Sequence, residues 1–246
     1  MCGRYAVTLP KEAMRDLFRT LNMVDYPARY NIKPTEPILT ISERHGRRSM
    51  QFARWGLVPS WVKDPKDFAL LINARSEGMI DKPAYRDAMK WHRCIVPASG
   101  YYEWMKDGKG NNQPYYVAMA DGTPMAFAGL YATWSGPNGE EIDSAAIVTT
   151  PAGADTVHIH DRAPAVLRGD QIEAWLDTAH VTAEVAAELC VPLEGGAVTY
   201  HPVDKLVGRT DSDGPTLIAP IDLATQPAPE PKPRKRTAGG GQLDLF

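Results

Sequence analysis

GYYEWMKDGKGNNQPYYVAM, residues 100–119, is the stretch on which the fold reading turns. Two aromatic-rich runs, GYYEWM (100–105) and PYYVAM (114–119), flank the polar KDGKGNNQ (106–113). Aromatic and β-branched residues on both sides of a Gly- and Asn-bearing turn read as a β-hairpin with a long loop. Outward from it, RCIVPA (93–98), MAFAGLYAT (125–133) and SAAIVTT (144–150) are further strand-like runs, as are PILTIS (37–42) and MQFARWGLV (50–58). Helical spacing occurs at Met14, Leu17, Phe18 and Leu21, which predicts a helix over 11–22 after Pro10, and again in GDQIEAWLD (169–177) and TAEVAAELC (182–190). There is no internal repeat. The sum predicts an α+β domain on a mostly antiparallel, barrel-like sheet with flanking helices.

Composition bounds the rest. At 246 residues, 43% hydrophobic and a mean hydropathy of -0.33, the chain can bury a substantial core and reads as a soluble, cytoplasmic protein. No apolar run approaches the ~18 residues of a membrane span, so no membrane partner is expected. Cys2, Cys94 and Cys190 show neither CxxC spacing nor a histidine placed to complete a zinc site, so neither a disulfide framework nor a structural metal is implied. A net charge of -3 excludes an all-over basic surface but leaves room for a local basic groove. Near residue 221 the composition changes: DLATQPAPEPKPRKRTAGGGQ (222–242) is Pro, Gly and charge, the makeup of a flexible linker. The folded domain is therefore placed at 1–220 and a disordered tail at 221–246.

The chain opens MCGRYAV. A small side chain at position 2 favours removal of Met1, which leaves the α-amine and thiol of Cys2 side by side. With reference pKa values of about 8 and 8.5, both are partly available near neutral pH. An aldehyde is their preferred electrophile, because the amine forms an imine and the thiol then closes a five-membered thiazolidine. From position alone, Cys2 reads equally well as a small apolar residue of an N-terminal strand. In LINARSE (71–77), Asn73 and Arg75 follow an apolar pair, so a strand end would aim amide and guanidinium at one place. In GYYEWM, Glu103 shares a strand face with Tyr101, and aromatic walls would desolvate it as suits a general acid/base. Taken alone, Glu103 also reads as a solvated strand residue. His158 and His160 sit two apart, without an evident third metal ligand.

MCGRY, RYNIKPT, RWGLVPSW, INARSE, RCIVPASGYYEW, FAGLY, IVTTPA and IHDRAP, in this order, resemble segments of the SOS-response-associated peptidase family. The resemblance implies a monomeric, cofactor-free domain that recognises abasic sites in single-stranded DNA and crosslinks Cys2 to the sugar. It implies Cys2 as nucleophile, Asn73 orienting the sugar, Glu103 as acid/base and His160 assisting ring opening. Arg4, Arg75 and Arg162 match phosphate-contacting arginines, while Pro34 and Trp61 match residues that wedge between or stack on bases. Three departures stand out: Val62 where a second aromatic is frequent, Ala163 where a larger side chain is usual, and no asparagine-rich segment near VGRTDSDGP (207–215). Two other readings stay open, an N-terminal-nucleophile hydrolase and a non-covalent single-strand binder. At the tail, Gln242, Leu243, Asp244, Leu245 and Phe246 resemble the pentapeptide that binds the bacterial sliding clamp.

Overall fold

The computed structural model describes residues 2–106 and 112–224. Its first half holds β1 (Tyr5–Val7), α1 (Lys11–Phe18), β2 (Arg29–Ile32), β3 (Pro37–Arg44), β4 (Arg47–Trp55), β5 (Asn73–Arg75) and α2 (Arg86–Trp91). The centre is all strand, with β6 (Arg93–Ala98), β7 (Gly100–Lys106), β8 (Asn112–Met119), β9 (Met125–Ser135) and β10 (Glu141–Pro151). Short elements follow: β11 (Arg162–Pro164), β12 (Val166–Leu167), α3 (Asp170–Leu176), α4 (Ala183–Ala187) and β13 (Val198–Pro202). All seven predicted strand runs form strands, although MQFARWGLV leaves its strand after Trp55. The expected hairpin is β7–β8, with Glu103 opposite Tyr115 and Tyr101 opposite Val117. Its turn and the tail motif Gln242–Phe246 lie outside the described residues.

Strand pairing closes a mixed barrel. The order β10-β4-β3-β6-β9 returns to β10 through the β9–β10 pairing, and only β4–β10 in this ring is parallel. Against the barrel lies an antiparallel half-sheet, β13-β8-β7-β1-β2. Tyr5 of the half-sheet stands edge-on to Trp55 at 5.2 Å and to Phe127 at 6.0 Å, and Tyr101 meets Phe127 at 6.2 Å. Such edge-to-face pairs add to area burial and fix the spacing between the layers. Gly100 permits the approach of β7 to β8: a Cβ there would sit 2.5 Å from the Tyr116 ring and from the Val117 carbonyl.

The first helix is shorter than its periodicity predicts. Arg19 takes a left-handed conformation (φ 54°) and the Thr20 N–H returns to the Arg15 carbonyl at 3.1 Å, which ends α1 at Phe18. Met14 and Phe18 are buried as read, while Leu17 and Leu21 are exposed. Beyond the predicted boundary at 220, the Ile221 N–H still donates to Pro202 O at 3.0 Å. Among the described residues no helix is long and apolar enough to cross a membrane.

Candidate active site

Cys2 is fully buried where the half-sheet meets the barrel. It precedes β1, which lies between β2 and β7, and the Tyr102 N–H donates to Arg4 O at 3.0 Å. Across the interface, the Asn73 side chain donates from Nδ2 to Cys2 O at 2.9 Å. Asn73 is held by short β5, which runs parallel to β10 with Asn73 beside Ile147, and its own carbonyl accepts from Tyr85 Oη at 3.0 Å. The Asn73 Oδ1 is buried with no hydrogen-bond partner among the described residues, an acceptor whose desolvation is uncompensated. Burial first, and then the nearby Glu103 carboxylate, push the Cys2 thiol well above its ordinary range. Glu103 is itself buried, and the β7 ladder puts it on the Tyr101 face. Cys2, ahead of β1, is thus brought together with Asn73 of β5 and Glu103 of β7.

His160 is near the start of β11, after a run of turns over 154–159, so the i, i+2 relation with His158 does not follow a strand. Its Nδ1 accepts from the Arg162 N–H at 3.0 Å and lies 2.9 Å from Asp161 Oδ1. The neutral ring uses the amide, which leaves the proton on Nε2; an imidazolium would turn to the carboxylate. Arg162 is half-buried and ion-paired with Glu77, and Nη2 also donates to Thr149 O at 2.6 Å. That pair holds the Glu77 carboxyl below its usual range. Ala163 leaves room beside Tyr101, Thr150 and Thr156 in a small cavity where the Thr150 hydroxyl has no described partner.

The other expected DNA contacts differ in how much of each side chain is available. Arg4 donates to Asn31 Oδ1 at 2.8 Å and to the carbonyls of Val207, Gly208 and Arg209 at 3.0–3.4 Å, so it braces the 205–212 segment. Arg75 is exposed, and its side chain makes no hydrogen bond or ion pair to another described residue. Pro34 sits in the turn between β2 and β3, half-buried, before Thr35 at φ 73°. Trp61 is 53% exposed and edge-on to Phe68 at 5.6 Å, whereas Val62 packs inward with Val58 and Trp134. Across the groove from Trp61 stands Trp91, 55% exposed, which sequence reading did not single out. Its signal was an indole at a helix end, indistinguishable there from core. Among the described residues no cluster of three or more His, Cys, Asp or Glu could hold a metal ion.

A family model described as SOS response associated peptidase (SRAP) matches residues 1–210. The chain belongs to that family. Similar SRAP relatives include abasic site processing protein YedK of Escherichia coli, 32% identical, with 90% of this chain and all of the relative covered. The chicken abasic site processing protein HMCES is 32% identical over 97% of this chain and 82% of its own length. The Bacillus subtilis protein YoqW, also named for abasic site processing, is 30% identical over 89% and 99%. Among solved SRAP-like folds, a crystal structure of a protein from Bacteroides thetaiotaomicron superposes with a TM-score of 0.81 at 25% identity, covering 89% of this chain and 100% of that one.

Proposed function

We propose that this SRAP protein processes abasic sites in single-stranded DNA and, once Met1 is removed, joins Cys2 to the opened sugar as a thiazolidine. The observation that carries the reading is the Asn73 grip on Cys2 O beside a buried Glu103 whose charge acts on the Cys2 thiol. The shared naming of bacterial and vertebrate relatives supports the substrate class. In the reaction, Glu103 and His160 promote opening of the closed sugar to its aldehyde while Asn73 holds it. The Cys2 amine adds to the aldehyde carbon, and water departs with a proton from Glu103. The thiol sulfur then adds to the imine carbon and its proton passes to nitrogen, so no oxidant or cofactor enters the balance. A hydrolase of the N-terminal-nucleophile type would need a ready thiolate, and burial with Glu103 works against one. Intact mass of the protein mixed with an abasic single strand tests the proposal. Loss of Met1 and a gain equal to the strand minus water are expected; release of an acyl product, or binding without a mass gain, would sink it.

Chemistry and grip are separable by substitution. Glu103→Gln is expected to slow crosslinking about a hundredfold at saturating DNA, the usual scale for one acid/base group, with affinity for intact strands unchanged. Arg75→Ala should leave the saturated rate alone and reduce the salt slope of binding by about 0.7, one phosphate contact on a single strand. Equal losses of binding in both variants, measured by fluorescence anisotropy, would mean that the site and the groove have been confused.

The tail gives the proposal a second partner. The QLDLF segment at 242–246 follows roughly 20 residues rich in Pro, Gly and charge, and a tether of that length raises the local concentration to about the millimolar scale. A peptide of residues 239–246 is expected to bind a bacterial sliding clamp, and alanine at Leu245 and Phe246 to abolish this while crosslinking persists. No heat of binding in a calorimetric titration of the full chain would leave the clamp out of the function.

A further inference from the structure

Three rings continue the barrel-side face of the half-sheet outward from Glu103. Tyr115 is directly opposite Glu103 in the β7–β8 ladder, so both side chains emerge on one face. Tyr200 on β13 is diagonal to it, being opposite Val117 while Tyr115 is opposite Pro202, and the two rings meet edge-on at 6.0 Å. His158 completes the row with its ring 5.0 Å from Tyr200, two residues before His160. Tyr115 is buried beneath; Tyr200 is 41% exposed and His158 is exposed. The row therefore begins at the carboxylate of the reaction site and reaches solvent at Tyr200, whose ring is propped by Tyr115 and His158.

We propose that Tyr200, held by Tyr115 and His158, is a stacking platform for the nucleobase that flanks the abasic residue. The inference rests on the abasic-strand reading above. At the lesion itself there is no base to stack, so a protein that reads an abasic residue without sequence preference must take its π-contacts from the neighbours. Stacking suits that task because every base offers a π-face. A ring propped on two sides loses little further freedom when a base settles on it. The row is continuous with Glu103, the carboxylate that acts on the Cys2 thiol, so a strand whose abasic residue reaches Cys2 has its neighbouring nucleotides near these rings.

The test uses the full chain and strands that carry a tetrahydrofuran residue, an abasic analogue without an aldehyde, so that binding is read without chemistry. Three strands are compared: the analogue in the middle, at the 5′ end and at the 3′ end. Tyr200→Ala is expected to weaken binding of the central strand roughly tenfold, and Tyr200→Phe to restore it. The loss should vanish on one of the two end-placed strands, the one that lacks the stacked neighbour, and persist on the other. Wild-type affinity of Tyr200→Ala on the central strand, or an equal loss on all three, would overturn the platform. Failure of the wild-type protein to crosslink an aldehyde-bearing strand, measured first, would instead overturn the abasic-site reading. An unfolding temperature unchanged in Tyr200→Ala confirms that an exposed edge-strand ring, and not the fold, was removed.

Discussion

Replacing Cys2 by serine is expected to remove the proposed heat-stable adduct with abasic DNA and to leave an imine that borohydride can trap. Serine keeps the amine and keeps the fully buried position next to Asn73, so the first bond still forms. The ring closed by a hydroxyl reopens readily, and the product is lost on heating. Denaturing gels with and without reductant measure both species; a heat-stable crosslink at the wild-type rate without reductant would end the thiazolidine mechanism. The pH profile supplies a second reading. With the Cys2 thiol pushed up by burial and by Glu103, little thiolate exists at neutral or mildly alkaline pH. The wild-type rate should therefore follow the amine: rising as pH passes about 8 and the ammonium loses its proton, then level. A further climb through the ordinary thiol range would mean that thiolate formation limits the reaction. A residue left in front of Cys2 that blocks the amine should abolish both imine and adduct.

The second large effect belongs to Arg93, which is buried without a carboxylate. Its guanidinium donates to Trp175 O at 2.6 Å, Met89 O at 3.0 Å, Asp177 O at 2.9 Å and Val181 O at 2.8 Å, and it stacks against the Trp175 ring at 5.9 Å. Met89 and Trp175 are in the last turns of α2 and α3, whose carbonyls lack intrahelical partners. One cation thus caps two helix C-termini, where the dipoles favour positive charge. Burial lowers its pKa to about 10, still charged at neutral pH. Arg93→Met leaves four carbonyls dry and unbonded and is expected to cost roughly 3–5 kcal/mol, or roughly 6–20 °C in Tm for a domain of this size. Arg93→Lys should recover part of it, since an ammonium reaches fewer of the four acceptors. Calorimetric unfolding decides: a shift of under about 2 °C in Arg93→Met would mean that the neighbouring backbone relaxes to satisfy itself.

Nothing in WHRCIVPA marks Arg93 as that cap, and the reason is general to what was and was not legible. The long strands announced themselves because each pairs with a neighbour over many residues and carries its own apolar pattern, as in MAFAGLYAT and SAAIVTT. Elements of three to five residues, such as β2, β5, β11 and β13, take their extended form from a partner already in place, so their own residues carry little signal. Closure of the barrel through parallel β4 and β10 is likewise a tertiary fact, spread over strands some ninety positions apart. At the site, residue types pointed to Cys2, Asn73 and Glu103, and the family resemblance to His160. The meeting place of the first three, a seam between two sheets, could not be read from spacing. The arginines show the limit most clearly. Arg4, Arg75 and Arg162 look alike in sequence, and only folding decides that the first braces a loop, the last pairs with Glu77 and Arg75 stays exposed.

The place of β1 has a consequence in time. Its partner β7 begins about 95 residues further along the chain, and Cys2 ends up sealed at the seam that pairing creates. At roughly 5–20 residues per second of synthesis, the N-terminus leaves the ribosome some 5–20 s before β7 exists to cover it. Enzymes that trim nascent chains work within that interval on an open terminus. On the proposed mechanism, Met1 has to be trimmed within that interval. The half-sheet would then be a timer as well as a wall, and protein that keeps Met1 past it is expected to stay inactive until that edge unfolds.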